Sequence, residues 1–214
     1  MKFTRSLELL ERAKQLIPVQ SQTFSKNWRY YPYPVAPVYL HHGLGSHVWD
    51  VDGNEFIDFV CGLGAVTLGY QDYAIDQAIK DQLRSGIIFS LPHPLELTVA
   101  EKFNKLIPSA EMVRFVKTGS EANQAAIRIA RAFTGKNHIA FRGYHGWHEW
   151  YACASERSDG IPPEYHQYMH EFKYNDIESL REVFRKYPNN VAAVIMEPMI
   201  AIEPKSGFLS EVRQ

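Results

Sequence analysis

The sequence predicts an α/β fold built on a largely parallel sheet, and three observations carry that expectation. Short apolar runs at Met112–Val116, His138–Phe141 and Val191–Met196 alternate with helical stretches at Glu121–Phe133 and Asp176–Lys186. The first of these runs leads directly into Thr118-Gly119-Ser120 and a long helix, as at a strand-to-helix join in such a sheet. The chain is also long and apolar enough to bury a core, with 214 residues, 45% hydrophobic and 22% charged.

From the N-terminus, Leu7, Leu10, Lys14 and Ile17 recur at helical spacing, and Pro18 closes that helix. Trp28-Arg29-Tyr30-Tyr31-Pro32-Tyr33-Pro34-Val35-Ala36-Pro37 follows, and its proline density predicts an extended, ordered arm. The aromatics of that arm call for a packing partner. Val48–Val51 and Glu55–Phe59 flank Asp52-Gly53-Asn54 and read as a β-hairpin, the glycine supplying positive φ. Helices are expected at Tyr73–Ser85 and Leu95–Leu106, the second ended by Pro108, and Asp176 is placed to cap the helix that it opens. The resulting division is a small region, 1–60, of helix, arm and hairpin, followed by a larger α/β domain beginning in 61–214.

Charge and composition narrow the function. Lys and Arg total 23 against 24 Asp and Glu, a net charge of −1, which lacks the basic excess of a nucleic-acid binder. No apolar run approaches the roughly 20 residues that span a bilayer. The amphipathic, charged start is unlike a signal peptide, and Cys61 and Cys153 suggest neither a disulfide framework nor a metal cluster. A cytoplasmic protein with no nucleic-acid or membrane partner is the expectation.

Three segments carry candidate chemistry. At Lys117-Thr118-Gly119-Ser120-Glu121 a helix N-terminus offers free N–H groups and a favourable dipole to an anion such as a phosphate. Gly119 admits close approach, and Thr118 and Ser120 carry hydroxyl donors. The same pattern also serves plain N-capping by Ser120. At Phe141-Arg142-Gly143-Tyr144-His145-Gly146-Trp147-His148, Tyr144 and His145 follow a strand and are placed either to stack on a planar cofactor or simply to pack. His145, His148 and Glu149 lack a metal-ligand pattern, so no metal site is expected. Glu197, at the end of Val191–Met196, is either a salt-bridged structural residue or an active-site carboxylate.

Five landmarks in order resemble the class III aminotransferases, fold type I enzymes that use pyridoxal 5′-phosphate. They are Trp49-Asp50-Val51-Asp52-Gly53-Asn54 with Ile57-Asp58; Pro108–Phe115 running into Gly119-Ser120-Glu121-Ala122; Ala126–Arg131 with Thr134-Gly135-Lys136; Tyr144-His145-Gly146; and Glu197-Pro198. The branch that the chain most resembles is that of glutamate-1-semialdehyde 2,1-aminomutase. The resemblance implies the N-terminal part of a three-layer transferase fold and a homodimer acting on a small-molecule amino donor and a carbonyl acceptor. It further implies that Gly119 and Ser120, helped by Thr118, hold the cofactor phosphate. Tyr144 would lie against the pyridine ring, and Glu197 near its phenolic oxygen.

Two departures follow from the same comparison. The mutase branch has a Ser-Trp pair where this chain has Gly62-Leu63, which favours a transaminase for another substrate over the isomerase. The aromatic run Tyr144–Tyr151 suggests a pocket for a larger, hydroxyl-rich substrate. In addition, the family's Schiff-base lysine and its aspartate lie downstream of the Glu-Pro strand, beyond Gln214. No lysine present fits the role: Lys117 precedes the turn, and Lys136 and Lys205 fall in loops. The expectation is therefore a truncated transaminase, inactive alone, with a non-catalytic remnant that binds a phosphorylated ligand or a partner subunit as the other reading. An unfinished sheet predicts poor solubility or association.

Overall fold

A computed structural model describes residues 1–199 and 201–214. The described residues group into two compact units, Met1–Pro94 and Leu95–Gln214. This grouping counts residues 61–94 with the N-terminal part, whereas the sequence division falls near residue 60.

In the first unit, helix α1 (Thr4–Ala13) buries Ser6, Leu10 and Ala13. It stops earlier than the spacing to Ile17 suggests, because the chain leaves the helix after Lys14 in a series of tight turns. Its first donors are satisfied from a distance: the Asp52 carboxylate accepts from Arg5 N (2.8 Å) and Ser6 N (2.9 Å). Strands β1 (Leu40–Leu44), β2 (His47–Asp50) and β3 (Glu55–Ile57) form an antiparallel sheet in that order. The β2–β3 hairpin is the one that the Asp-Gly step predicts, with Gly53 at φ 85°. Asp50, 2% exposed, secures it by accepting from Asp52 N, Asn54 N and the Asn54 amide. β1 escapes the sequence reading because Leu-His-His-Gly-Leu shows no alternation.

The expected extended arm is corrected at its start and again at 33–35, which form a turn with Val35 N bonding the Pro32 carbonyl. Trp28–Tyr30 makes a 3-10 turn, capped by the Asn27 side chain accepting from Arg29 N. No proline lies within 28–31, so nothing there blocks the turn. The arm then packs partly on itself, with the Trp28 and Tyr33 rings 4.8 Å apart. A short irregular helical turn, α2 (Cys61–Gly64), precedes α3 (Tyr73–Ser85), whose cap is Asp72 accepting from Ile75 N. Helix α4 (Pro94–Leu106) comes next.

In the second unit, β5 (Met169–Glu171), β4 (His138–Arg142) and β6 (Val191–Met196) form a parallel sheet with β4 central. Alternation along β4 sends its side chains to opposite faces. Ile139 and Phe141 join Ile127 of α5 (Gly119–Thr134), Trp150 of α6 (Glu149–Ala152), Cys153 and Met169 in one core. Ala140 packs in the other, with Phe172, Val191, Leu180 and Val183 of α7 (Ile177–Lys186), and Phe208 of α8 (Phe208–Arg213). Helices thus cover both faces of the sheet, the three-layer arrangement of an α/β fold. Asp176 caps α7 as expected, accepting from Ser179 N.

The expected strand at Met112–Val116 does not form: the segment is irregular and Met112 is 94% exposed. A strand exists only as part of a ladder, and among the described residues no strand pairs with this run. No helix among the described residues is long and apolar enough to cross a membrane.

Candidate active site

All six residues singled out by the sequence lie in the second unit, and the turn at the start of α5 organises them. The helix begins at Gly119, and Thr118, rather than Ser120, is its cap. Thr118 Oγ1 accepts from Glu121 N (3.2 Å), while Glu121 Oε2 accepts from Thr118 N (3.1 Å) and Lys117 N (2.8 Å). This reciprocal capping box fits Thr at the cap and Glu three residues on, which the Thr-Gly-Ser-Glu string already spells. Ala122 N bonds the Thr118 carbonyl. The N–H groups of Gly119 and Ser120 therefore keep no partner among the described residues, at the positive end of a 16-residue helix. A side chain on Gly119 would meet nothing within 4 Å, so the approach to these donors is open.

The loop after β4 closes over this turn. Gly146, at φ 101°, packs so tightly on Ser120 that any Cβ there would collide with the Ser120 hydroxyl. Ser120 Oγ accepts a long bond from Trp147 N (3.4 Å), and the Asn123 amide donates to the His145 carbonyl (3.1 Å). On the other side of Tyr144, Gly143 lies against the Glu197 carboxylate, where again no Cβ fits. Glu197 Oε2 accepts from Tyr144 N (2.9 Å), and Glu197 N extends the β4–β6 ladder by bonding the Arg142 carbonyl. Gly143, Gly146 and Asn123 are positions of the candidate site that the residue-by-residue reading passed over. Their signal in the sequence is a pair of glycines bracketing Tyr144-His145.

The two aromatic candidates separate. Tyr144 is 67% exposed, and its one ring contact among the described residues is edge-on to Tyr151 at 5.8 Å. His145 is 4% exposed, between Trp150 and Tyr151, with Nε2 at 3.0 Å from the Arg142 carbonyl that accepts its proton. Tyr144 is thus the ring with an open face. Trp150 is buried in the core, which takes one member of the aromatic run away from any ligand pocket. Burial lifts the Tyr151 phenol above its ordinary range, and the Glu171 and Glu197 carboxylates push in the same direction. Among the described residues, no group of three or more His, Cys, Asp or Glu is placed to hold a metal ion.

The parts fit a phosphorylated planar ligand: two unpartnered N–H donors, a hydroxyl and an open ring. The chain matches the family described as aminotransferase class-III over residues 30–214. It is similar to the 3-aminobutyryl-CoA aminotransferase of Cloacimonas acidaminovorans (strain Evry), 40% identical over all of this chain and 52% of that protein. It is also similar to the glutamate-1-semialdehyde 2,1-aminomutase of Syntrophomonas wolfei subsp. wolfei, 36% identical over all of this chain and 53% of that one. A solved transaminase with bound PLP superimposes with a TM-score of 0.90 at 28% identity, covering all of this chain and 52% of that one. The chain therefore spans about half the length of the curated relatives it matches. On the strength of the family match across most of its length, the chain belongs to the class-III aminotransferases.

Proposed function

We propose that this chain provides the phosphate-binding part of a pyridoxal 5′-phosphate-dependent transaminase, which moves an amino group from a small-molecule amino donor to a carbonyl acceptor. The observation that carries the reading is the pair of unpartnered N–H groups of Gly119 and Ser120, with Gly146 closed onto the Ser120 hydroxyl. In this reading those donors and the Ser120 hydroxyl bind the phosphate, and the Thr118–Glu121 box fixes the turn that presents them. The exposed Tyr144 ring lies against the pyridine. Glu197 uses Oε2 to hold the Tyr144 backbone and keeps its other carboxylate oxygen for the ligand. His145 positions the loop from within the core rather than stacking on the ligand. When bound, the cofactor supplies an electron sink for breaking a bond at the substrate's amino-bearing carbon.

The lysine that binds the cofactor and moves the proton belongs, in this proposal, to family sequence outside residues 1–214. Lys117 is tied by its backbone to Glu121, and Lys136 and Lys205 sit in loops. Residues 1–214 alone are then unable to transaminate, and a second copy of the chain completes the assembly. Transfer is preferred to the isomerase reading because Gly62-Leu63 replaces the Ser-Trp pair of the mutase branch. An assay of the active enzyme with and without an external amino donor separates the two, since an isomerase needs none.

The test of the cradle is binding of pyridoxine 5′-phosphate against pyridoxine, followed by tryptophan fluorescence. Neither probe carries an aldehyde, so no lysine reacts with it. A charge-assisted cradle predicts at least about tenfold tighter binding of the phosphorylated form. Equal affinities would overturn the reading.

A further inference from the structure

A cavity lies at the end of the sheet away from Gly119 and Ser120. It has a volume of about 340 Å³ and is lined by Arg131, Asn137, Glu164, Tyr165, Gln167 and Tyr168. Arg131 is the thirteenth residue of α5, about 18 Å along the helix axis from the turn at Gly119. Asn137 stands just before β4, at the end of the strand away from the site described above.

The Arg131 guanidinium is fixed but not satisfied. Its Nε donates to the Asn137 carbonyl (2.9 Å), and its carbon lies 6.0 Å from the centre of the Tyr168 ring. Its two terminal nitrogens have no hydrogen-bond partner, and no carboxylate is ion-paired with it, among the described residues. Burial pulls its pKa below the ordinary value, so it is a partly desolvated cation held in place without a counter-charge. A guanidinium with its Nε occupied and its terminal edge free presents a fork suited to a carboxylate. Glu164 lines the same cavity and makes no ion pair there. A carboxylate at that place repels a polyanion and attracts an ammonium group. The volume suits a small ligand, and the Tyr165 and Tyr168 rings supply apolar wall.

We infer that this cavity is a binding site for a small zwitterionic amino acid, its carboxylate on Arg131 and its ammonium towards Glu164, separate from the site at Gly119–Ser120.

The test is amide chemical-shift mapping on the deuterated, 15N-labelled chain, titrated in turn with β-alanine, propionate, propylamine and inorganic phosphate. β-Alanine is expected to shift the amides of Asn137, Gln167 and Tyr168 saturably, with affinity on the order of 1 mM. Propionate and propylamine, each carrying one of the two charges, are expected to bind at least about threefold more weakly. Arg131→Gln is expected to abolish the shifts. Because that change also removes the bond to Asn137, Glu164→Gln at an exposed position is the second variant, expected to reduce β-alanine to the affinity of propionate. Absence of saturable shifts at these three amides, equal binding of propionate and β-alanine, or preference for phosphate there would each overturn the proposal. Shifts at Gly119 and Ser120 report the other site in the same spectra, so the two readings fail separately.

Discussion

A methyl group at position 146 would have to occupy the space of the Ser120 hydroxyl, on a backbone whose φ of 101° already excludes most side chains. Gly146→Ala is therefore expected to destabilise the chain by about 1–3 kcal/mol. It is also expected to lower affinity for pyridoxine 5′-phosphate while leaving that for pyridoxine unchanged, as read by tryptophan fluorescence. A second prediction at this scale concerns two imidazoles. His138 Nδ1 and His170 Nε2 are 2.8 Å apart, and both rings stack on Tyr187, at 4.0 and 4.2 Å. Burial depresses the pKa of His170 to about 4, with His138, Lys186 and His166 adding to the effect, and burial also depresses that of His138. Because the unfolded chain takes up protons near the ordinary value of 6.5 and the folded pair does not, this stability is complete above that pH and is lost as pH falls towards 4. The loss should be on the order of 1–2 kcal/mol once solvent screening is counted. Urea midpoints measured from pH 7 to 4 should fall for the native chain and flatten in His170→Phe. A parallel slope in the two proteins would refute the assignment.

At the scale of elements, α5 separates packing from exposure within two residues. Ile127 is 1% exposed against Ile139, Phe141 and Trp150, while Ile129 is 67% exposed. Ile127→Ala should cost about 2–5 kcal/mol and Ile129→Ala less than about 0.5 kcal/mol in denaturant unfolding. Similar losses at both positions would mean that the helix is buried by something outside the described residues. The elements legible in the sequence were those whose cause is local. The hairpin has its Asp-Gly turn, α3 its Asp72 cap and amphipathic repeat, α7 its Asp176, and β6 its unbroken apolar run. The run at Met112–Val116 is also mostly apolar, broken only by Arg114, yet stays irregular, because a strand's existence depends on a partner that no local pattern specifies. β1 and β5 show the converse: short, histidine-containing segments become strands because a neighbour supplies the ladder.

Across the whole molecule, the exposed apolar surface is the dominant feature. Helices α3 and α4 carry no buried residue, although Ile75, Ile79, Leu83, Leu95, Leu97, Phe103 and Leu106 lie on them. Monomeric proteins seldom leave so much apolar surface in water. Residues 1–214 are accordingly expected to sediment as dimers or larger species, or to bind an apolar dye strongly. A monodisperse monomer that melts cooperatively without dye binding would contradict this. The sequence by itself determined the α/β class, the helix that opens at Thr-Gly-Ser-Glu and the family, since each rests on short-range periodicity, capping chemistry or landmarks in order. Which of Tyr144 and His145 keeps an open face, and how Gly143 and Gly146 let Glu197 and Ser120 approach, were decided only by the tertiary structure. These depend on contacts between segments more than 20 residues apart, brought together by the parallel pairing of β4 and β6, and such contacts leave no periodic trace in the chain.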